Sequence, residues 1–277
     1  MKGTRGNRSQ MITQDYQSLS PDELEVVEKQ TQRILIQALQ QYSKEARYIF
    51  DRTKAESETE VIAIAEDIVQ YALEVAEIYP INSRFAGFFD YKRVRWLPTA
   101  FGLVPQVLLV DAKASTENNR STLQQSQLSM DAEFESRGNR VTLAAGFAPH
   151  LSIPAFGGKA LNAVTTSALV HFYYVNRPGD PERYRELKTI YSLLVPHQRL
   201  KPKYNPDSKV TFFGQGKHSP ARAEAQRIRV YFERLRQMCP WRLQELRYTE
   251  QPYTRPEWRD VDIKGKESSS EFLFIGR

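Results

Sequence analysis

Between Leu24 and Tyr42 the apolar positions Leu24, Val27, Ile34, Leu35, Ala38, Leu39 and Tyr42 fall on one side of a 3.6-residue period, which predicts a helix running to about Phe50. Its start is written in Ser20-Pro21-Asp22-Glu23: a hydroxyl to cap, a proline suited to the first turn, and Glu23 to close a capping box. Val61, Ile64, Ala65, Ile68, Ala72, Val75, Ala76 and Tyr79 repeat the period and predict a second helix over 58–79, ended by Pro80.

The periodicity then changes. Arg84–Trp96 alternates and is rich in aromatics, and Leu103–Lys113 is the most apolar stretch of this region; turn residues between them predict two paired strands, the second central. Ser115–Met130 reads as a polar loop leading into a short helix, Arg140–Gly146 as a strand, and Phe147–Leu161 as a loop rich in Pro and Gly. Thr165–Val175 strings together β-branched and aromatic residues and predicts a strong strand. Tyr184, Leu187, Ile190, Tyr191 and Leu194 share one side of a helix over 181–194, and Val210–Phe213 predicts a strand. Arg227–Phe232 fits either period; strand to about Phe232 with helix after it is the favoured reading.

Composition narrows what such a chain can be. With 277 residues, 40% hydrophobic and 26% charged, it can bury a core as one large domain or two small ones. One cysteine, Cys239, excludes an intrachain disulfide and fits a reducing, cytoplasmic setting. No apolar run approaches the ~20 residues of a membrane span, so no membrane partner is expected. Residues 1–14 are basic without an apolar core and read as a disordered leader rather than a signal peptide. The net charge of +6 is unevenly placed: residues 199–247 hold 12 basic and 4 acidic side chains. A block of that kind suits a polyanion, although a solvated face would look the same. The four histidines, His150, His171, His197 and His218, show no zinc-ligand spacing, and no Gly-x-x-x-x-Gly-Lys or Gly-x-Ser-x-Gly motif is present.

Asp111-Ala112-Lys113 closes the apolar run Val107–Val110, and on a strand its two charged side chains project to one face. Asp90 lies 21 positions upstream in the other predicted strand of the pair, within metal-sharing reach if the two strands are adjacent. Two carboxylates that can hold Mg²⁺, beside a lysine that can stabilise an attacking hydroxide, suit metal-assisted phosphodiester cleavage. Asp90-Tyr91-Lys92 competes for the same reading from the more polar strand. Arg227-Ile228-Arg229 would, on a strand, present two guanidiniums on one face about 7 Å apart. Such a pair can reach neighbouring base pairs, and Lys217 across the intervening turn can join it, but phosphate contact or solvation would account for it equally well.

Taken together, the chain resembles the PD-(D/E)xK restriction endonucleases, specifically the SfiI type, from Asp15 onward. The resemblance is densest in 37–46 (QALQQYSKEA), 79–82 (YPIN), 84–88 (RFAGF), 90–98 (DYKRVRWLP), 110–116 (VDAKAST) and 217–222 (KHSPAR). It implies an α/β (α+β) fold: a mixed central β-sheet of five or six strands flanked by helices. The whole of 15–277 would be a single endonuclease domain, with a catalytic core at about 58–175 and a basic recognition region at about 199–247. Asp90 and Asp111 would bind Mg²⁺, helped by the carbonyl of Ala112, and Lys113 would assist the attacking water. Arg120, Lys217, Arg227 and Arg229 would read bases. Phe89 stands where the written motif has proline, a position loosely kept in the superfamily. Relatives of this type cut an interrupted GC-rich palindrome resembling GGCCNNNNNGGCC and act as tetramers, a dimer being the minimum for two-fold half-sites. The implied setting is a prokaryotic cytoplasm, with double-stranded DNA as partner and a cognate DNA methyltransferase as counterpart. Two rivals remain at this point: a structure-selective or repair nuclease on the same core, and a DNA-binding protein without catalysis.

Overall fold

The capping box expected at the first helix forms: Ser20 Oγ accepts from the Glu23 amide at 3.2 Å, and the Ser20 amide donates to the Glu23 carboxylate at 2.6 Å. This cap opens α1 (Pro21–Gln41) in a computed structural model that describes residues 19–76, 92–99, 102–154, 160–216, 227–251 and 254–259. The expected single helix to Phe50 is in fact two. It breaks at Tyr42, where the Ser43 hydroxyl bonds the Gln40 carbonyl at 2.7 Å, and resumes as α2 (Ser43–Arg52). α3 (Glu58–Val75) follows the second predicted helix, capped by Ser57, with Val61, Ala65, Ile68 and Ala72 buried as the period required. Its expected continuation to Tyr79, the leader at 1–14, Asp90 and Lys217 lie outside the described residues.

The strands are β1 (Lys92–Thr99), β2 (Gly102–Ser115), β3 (Arg120–Gln124), β4 (Ala132–Ser136), β5 (Asn139–Leu143), β6 (His150–Pro154), β7 (Ala160–Asn176) and β8 (Arg185–Val195). After the short helix α4 (Lys201–Tyr204) come β9 (Phe213–Gln215), β10 (Arg227–Tyr231), α5 (Phe232–Met238), β11 (Leu243–Arg247) and β12 (Glu257–Arg259). The main sheet runs β1-β2-β7-β8-β11-β12, with β6 also on β7. β2 and β7 are parallel and the other pairs in this sheet antiparallel, so the sheet is mixed as expected, with seven strands among the described residues rather than five or six. A three-stranded sheet, β3-β10-β9, and the hairpin β4-β5 stand apart from it.

Alternation along the central strands gives the sheet two dissimilar faces. Leu108, Val110 and Ala112 of β2, with Val170 and Phe172 of β7, pack against α1, α2 and α3. Leu169 of β7 and Tyr191, Leu193 and Val195 of β8 point the other way, into a second core built by Leu123, Ile228, Val230 and Phe232. The helices therefore cover one face and the small sheet covers the other.

β8 is where the expected elements fail most clearly, since the helical spacing over 181–194 predicts a helix. Nearly every residue of β8 is buried, because both faces of the sheet are covered, so no polar alternation marks it as a strand. A bulge adds to the disguise. Tyr173 pairs with Thr189 but Tyr174 with Leu187, so Lys188 is the extra residue and Leu187 returns to the helix-covered face beside Ile190. Two smaller corrections apply: Ser115–Met130 contains β3 and only a 3₁₀ turn at 125–127, and Phe147–Leu161 contains β6. Each strand is short and is held by a partner distant in sequence, β3 by β10 and β6 by β7.

A buried ion pair ties the two ends of the fold together. Arg242 is fully buried, bonds Glu28 of α1 at 2.6 Å, and lies 4.4 Å from the ring centroids of both Trp241 and Tyr204. The other Glu28 oxygen accepts from the His197 amide at 2.7 Å.

Candidate active site

Asp111 and Lys113 lie near the C-terminal end of β2, on the face turned toward the small sheet. Their position follows from alternation: Val110 and Ala112 belong to the helix-covered core, so Asp111 and Lys113 cannot. The Lys113 ammonium sits 2.9 Å from Asp111 Oδ2, and both side chains remain about one-quarter exposed. Burial pushes the Asp111 carboxyl above the ordinary carboxylate range, and the neighbouring ammonium pulls it partly back. Oδ2 is withdrawn from solvent and, apart from that ammonium, meets no hydrogen-bond donor among the described residues. A buried carboxylate oxygen whose one donor is an ammonium suits a cation. Among the described residues no third His, Cys, Asp or Glu completes a metal cluster.

The parallel register sets Lys113 beside His171 of β7. His171 is 2% exposed and bonded on both ring nitrogens: Nε2 lies 2.8 Å from the Glu117 carbonyl and Nδ1 lies 3.1 Å from the Ser121 hydroxyl of β3. The carbonyl can only accept, so Nε2 carries the proton and Nδ1 accepts from Ser121. Burial holds the ring neutral down to about 4, against weaker opposing pulls from the Glu117 carbonyl and charge.

The arginines stand opposite. Arg227–Tyr231 is a strand and Phe232 begins a helix, as favoured; β10 pairs with both β3 and β9. Glu117 lies between the arginines. Arg120 donates to it twice, each time at 2.8 Å, and Arg229 Nη1 reaches it at 3.4 Å. Arg120 foremost, then Arg229, holds the Glu117 carboxyl down to about 2. A cleft of about 300 Å³ gathers Lys113, Glu117, Arg120, His171 and Arg227. The described structure thus brings together Lys113, Arg120, Arg227 and Arg229, with Asp111 beside Lys113. Gly216 lets β9 approach β10, because a Cβ there would overlap the Arg227 carbonyl.

Glu117 and His171 were not singled out from the sequence. A histidine inside the apolar run Thr165–Val175 was a signal for one of them, since a buried ring must be bonded. Glu117 three residues before Arg120 was a signal for the other.

The fold is shared with the restriction endonuclease BglI bound to its DNA recognition sequence, at a TM-score of 0.66 over 82% of this chain and 92% of that one; 16% identity makes this evidence of fold alone. The Asp-x-Lys pair lies on β2, at the centre of that shared fold. A family model described as type II restriction enzyme SfiI matches residues 24–246. The type II restriction enzyme SfiI of Streptomyces fimbriatus is 64% identical over 267 residues, 95% of this chain and 99% of its own. A crystal structure of tetrameric SfiI bound to cognate DNA aligns at a TM-score of 0.83 and 63% identity, covering 95% of this chain and 99% of that one. The chain belongs to the SfiI family of type II restriction enzymes and is a site-specific endonuclease.

Proposed function

We propose that the enzyme hydrolyses double-stranded DNA at an interrupted GC-rich palindrome resembling GGCCNNNNNGGCC, using Mg²⁺ held by Asp90, Asp111 and the carbonyl of Ala112. The observation that carries this reading is the Asp111–Lys113 pair on the sheet face that looks toward the arginine-bearing strands. The donor-poor Asp111 oxygen supports a cation site, and β1 starts at Lys92 opposite Leu109, two residues from the row of Asp111 and two residues after Asp90. Bound there, Mg²⁺ would supply positive charge to the scissile phosphate. Lys113 orients the attacking water and neutralises charge developing on the phosphoryl oxygens, while Asp111 holds the ammonium in place. Attack in line would leave 5′-phosphate and 3′-hydroxyl ends.

Arg120, Lys217, Arg227 and Arg229 would read guanines in the major groove, where an arginine can bond O6 and N7 together. The placement of Arg120, Arg227 and Arg229 on the small sheet separates reading from cutting while keeping both on one side of the main sheet. The solved relative is a tetramer on cognate DNA, which supports a homotetramer here, with a cognate DNA methyltransferase as counterpart in a prokaryotic cytoplasm. Among the described residues no helix is long and apolar enough to cross a membrane. Incubation of a large GC-rich DNA with Mg²⁺, followed by sequencing of the ends, tests the reading. Ends confined to one interrupted palindrome support it; cuts at junctions without sequence preference, or binding that Mg²⁺ never converts to product, overturn it.

A further inference from the structure

The grip of Glu117 on the two arginines is directional. Arg120 Nε donates to Oε2 and Arg120 Nη2 to Oε1, so the carboxylate takes the guanidinium on its side edge. The opposite edge, formed by the two terminal nitrogens, is left to point elsewhere, and it too can bond two acceptors at once, as guanine requires. Arg229, on the neighbouring strand and paired across to Thr122, donates to the same Oε2 through one terminal nitrogen. With both oxygens engaged by guanidinium groups, Glu117 is not disposed as a metal ligand.

The backbone of Glu117 is equally fixed. Its amide donates to Ser115 Oγ at 3.1 Å, and its carbonyl accepts from the buried His171 at 2.8 Å. His171 is the register partner of Lys113 and also holds Ser121, the next residue after Arg120. One neutral ring therefore locates Glu117 and β3 with respect to the strand that bears Lys113.

We propose that Glu117 is a positioning residue for base recognition: it presents Arg120 and Arg229 to guanine in a preset orientation and, through His171, at a fixed offset from Lys113. The inference rests on the reading of Arg120 and Arg229 as base-reading residues. Two flexible side chains already ordered lose less freedom when DNA binds. A carboxylate between them also offsets their attraction to any passing phosphate, so the gain falls on sites that offer the right base edges.

The test uses the full-length enzyme with Glu117→Ala, Glu117→Gln, Arg120→Ala and Arg229→Ala, each first shown to melt at the parent temperature. Cleavage is measured on the cognate site and on sites with one G·C pair replaced. For Glu117→Ala the ratio of cognate to substituted kcat/KM is expected to fall about tenfold, part of the discrimination of one bidentate contact, with the loss carried by KM. Glu117→Gln, which keeps one acceptor, should recover part of the ratio. In an Arg120→Ala, Arg229→Ala background, Glu117→Ala should change the ratio no further; an added loss there overturns the proposal. An unchanged ratio in Glu117→Ala, with a lowered ratio in either arginine variant, leaves Glu117 as an ordinary ion pair and also overturns it. If neither arginine variant lowers the ratio, the base-reading assignment itself fails, and that pattern is distinct from the others.

Discussion

Lowering the pH should destabilise the protein through two buried histidines before Glu117 begins to titrate. Burial holds both His171 and His197 neutral down to about 4, against an ordinary value of 6.5. The sign follows from proton counts. Between pH 6.5 and 4 the unfolded chain binds a proton at each ring and the folded chain does not, so stability is full above 6.5 and falls as pH drops through that window. A gap of about 2.5 units, at about 1.4 kcal/mol per unit, is roughly 3 kcal/mol for each ring. The two together compare with a typical total of roughly 5–15 kcal/mol. Glu117, held down to about 2, titrates lower: its contribution is present above 4.5 and lost as pH falls toward 2, so the windows barely overlap. The assay is urea unfolding at half-unit pH steps from 7.5 to 4 at fixed protein concentration, comparing the parent with His171→Gln, whose amide can still donate to the Glu117 carbonyl. The parent should lose about 1.4 kcal/mol more per pH unit than the variant across the window. Parallel losses in the two proteins would refute the assignment of a His171 held neutral by burial.

Asp111→Ala and Asp90→Ala are each expected to keep sequence-specific binding and lose Mg²⁺-dependent cleavage, read by gel shift and by end labelling; retained cutting would remove the residue from the site. Arg229→Ala should cost ~1–3 kcal/mol of discrimination between cognate and substituted sites. A salt slope reduced by about one with discrimination intact would make Arg229 a phosphate contact instead. Arg242→Met should destabilise the fold by about 3–5 kcal/mol in urea, because Glu28 would be left buried and charged without its partner; a loss below about 1 kcal/mol would mean that Glu28 accepts a proton instead, the direction in which burial already pushes it. Gly216→Ala should reduce discrimination on cognate DNA by forcing β9 away from Arg227, and unchanged specificity would show that the close approach is dispensable.

How far the sequence could be read depended on whether the relevant physics was local. Ser20-Pro21-Asp22-Glu23 specifies its own helix start, and that start formed. Arg227–Tyr231 followed by Phe232 reads as strand and then helix because Ile, Val, Tyr and Phe favour a pleated surface, a local preference. Asp111 and Lys113 were readable because alternation places them together whatever surrounds the strand. β8 was not, because its pattern reflects two covered faces and a bulge at Lys188, both set by distant elements. Glu117 and His171 were missed for the same reason. Their roles depend on the parallel pairing of β2 with β7, which sets Lys113 beside a residue 58 positions later. The relative placement of Asp90 and Lys217 falls outside the described residues.

The turn between β2 and β3 is only residues 116–119, so Lys113 and Arg120 are separated by seven positions, at most roughly 25 Å of chain. If Lys113 cuts and Arg120 reads, as proposed, a segment exchanged from within β2 to β3 carries both roles together. The strands β9 and β10 lie about a hundred residues downstream of Lys113. On those proposed roles, a change of target sequence made on β10, around Arg227 and Arg229, leaves β2 untouched, whereas one made at Arg120 falls seven residues from Lys113.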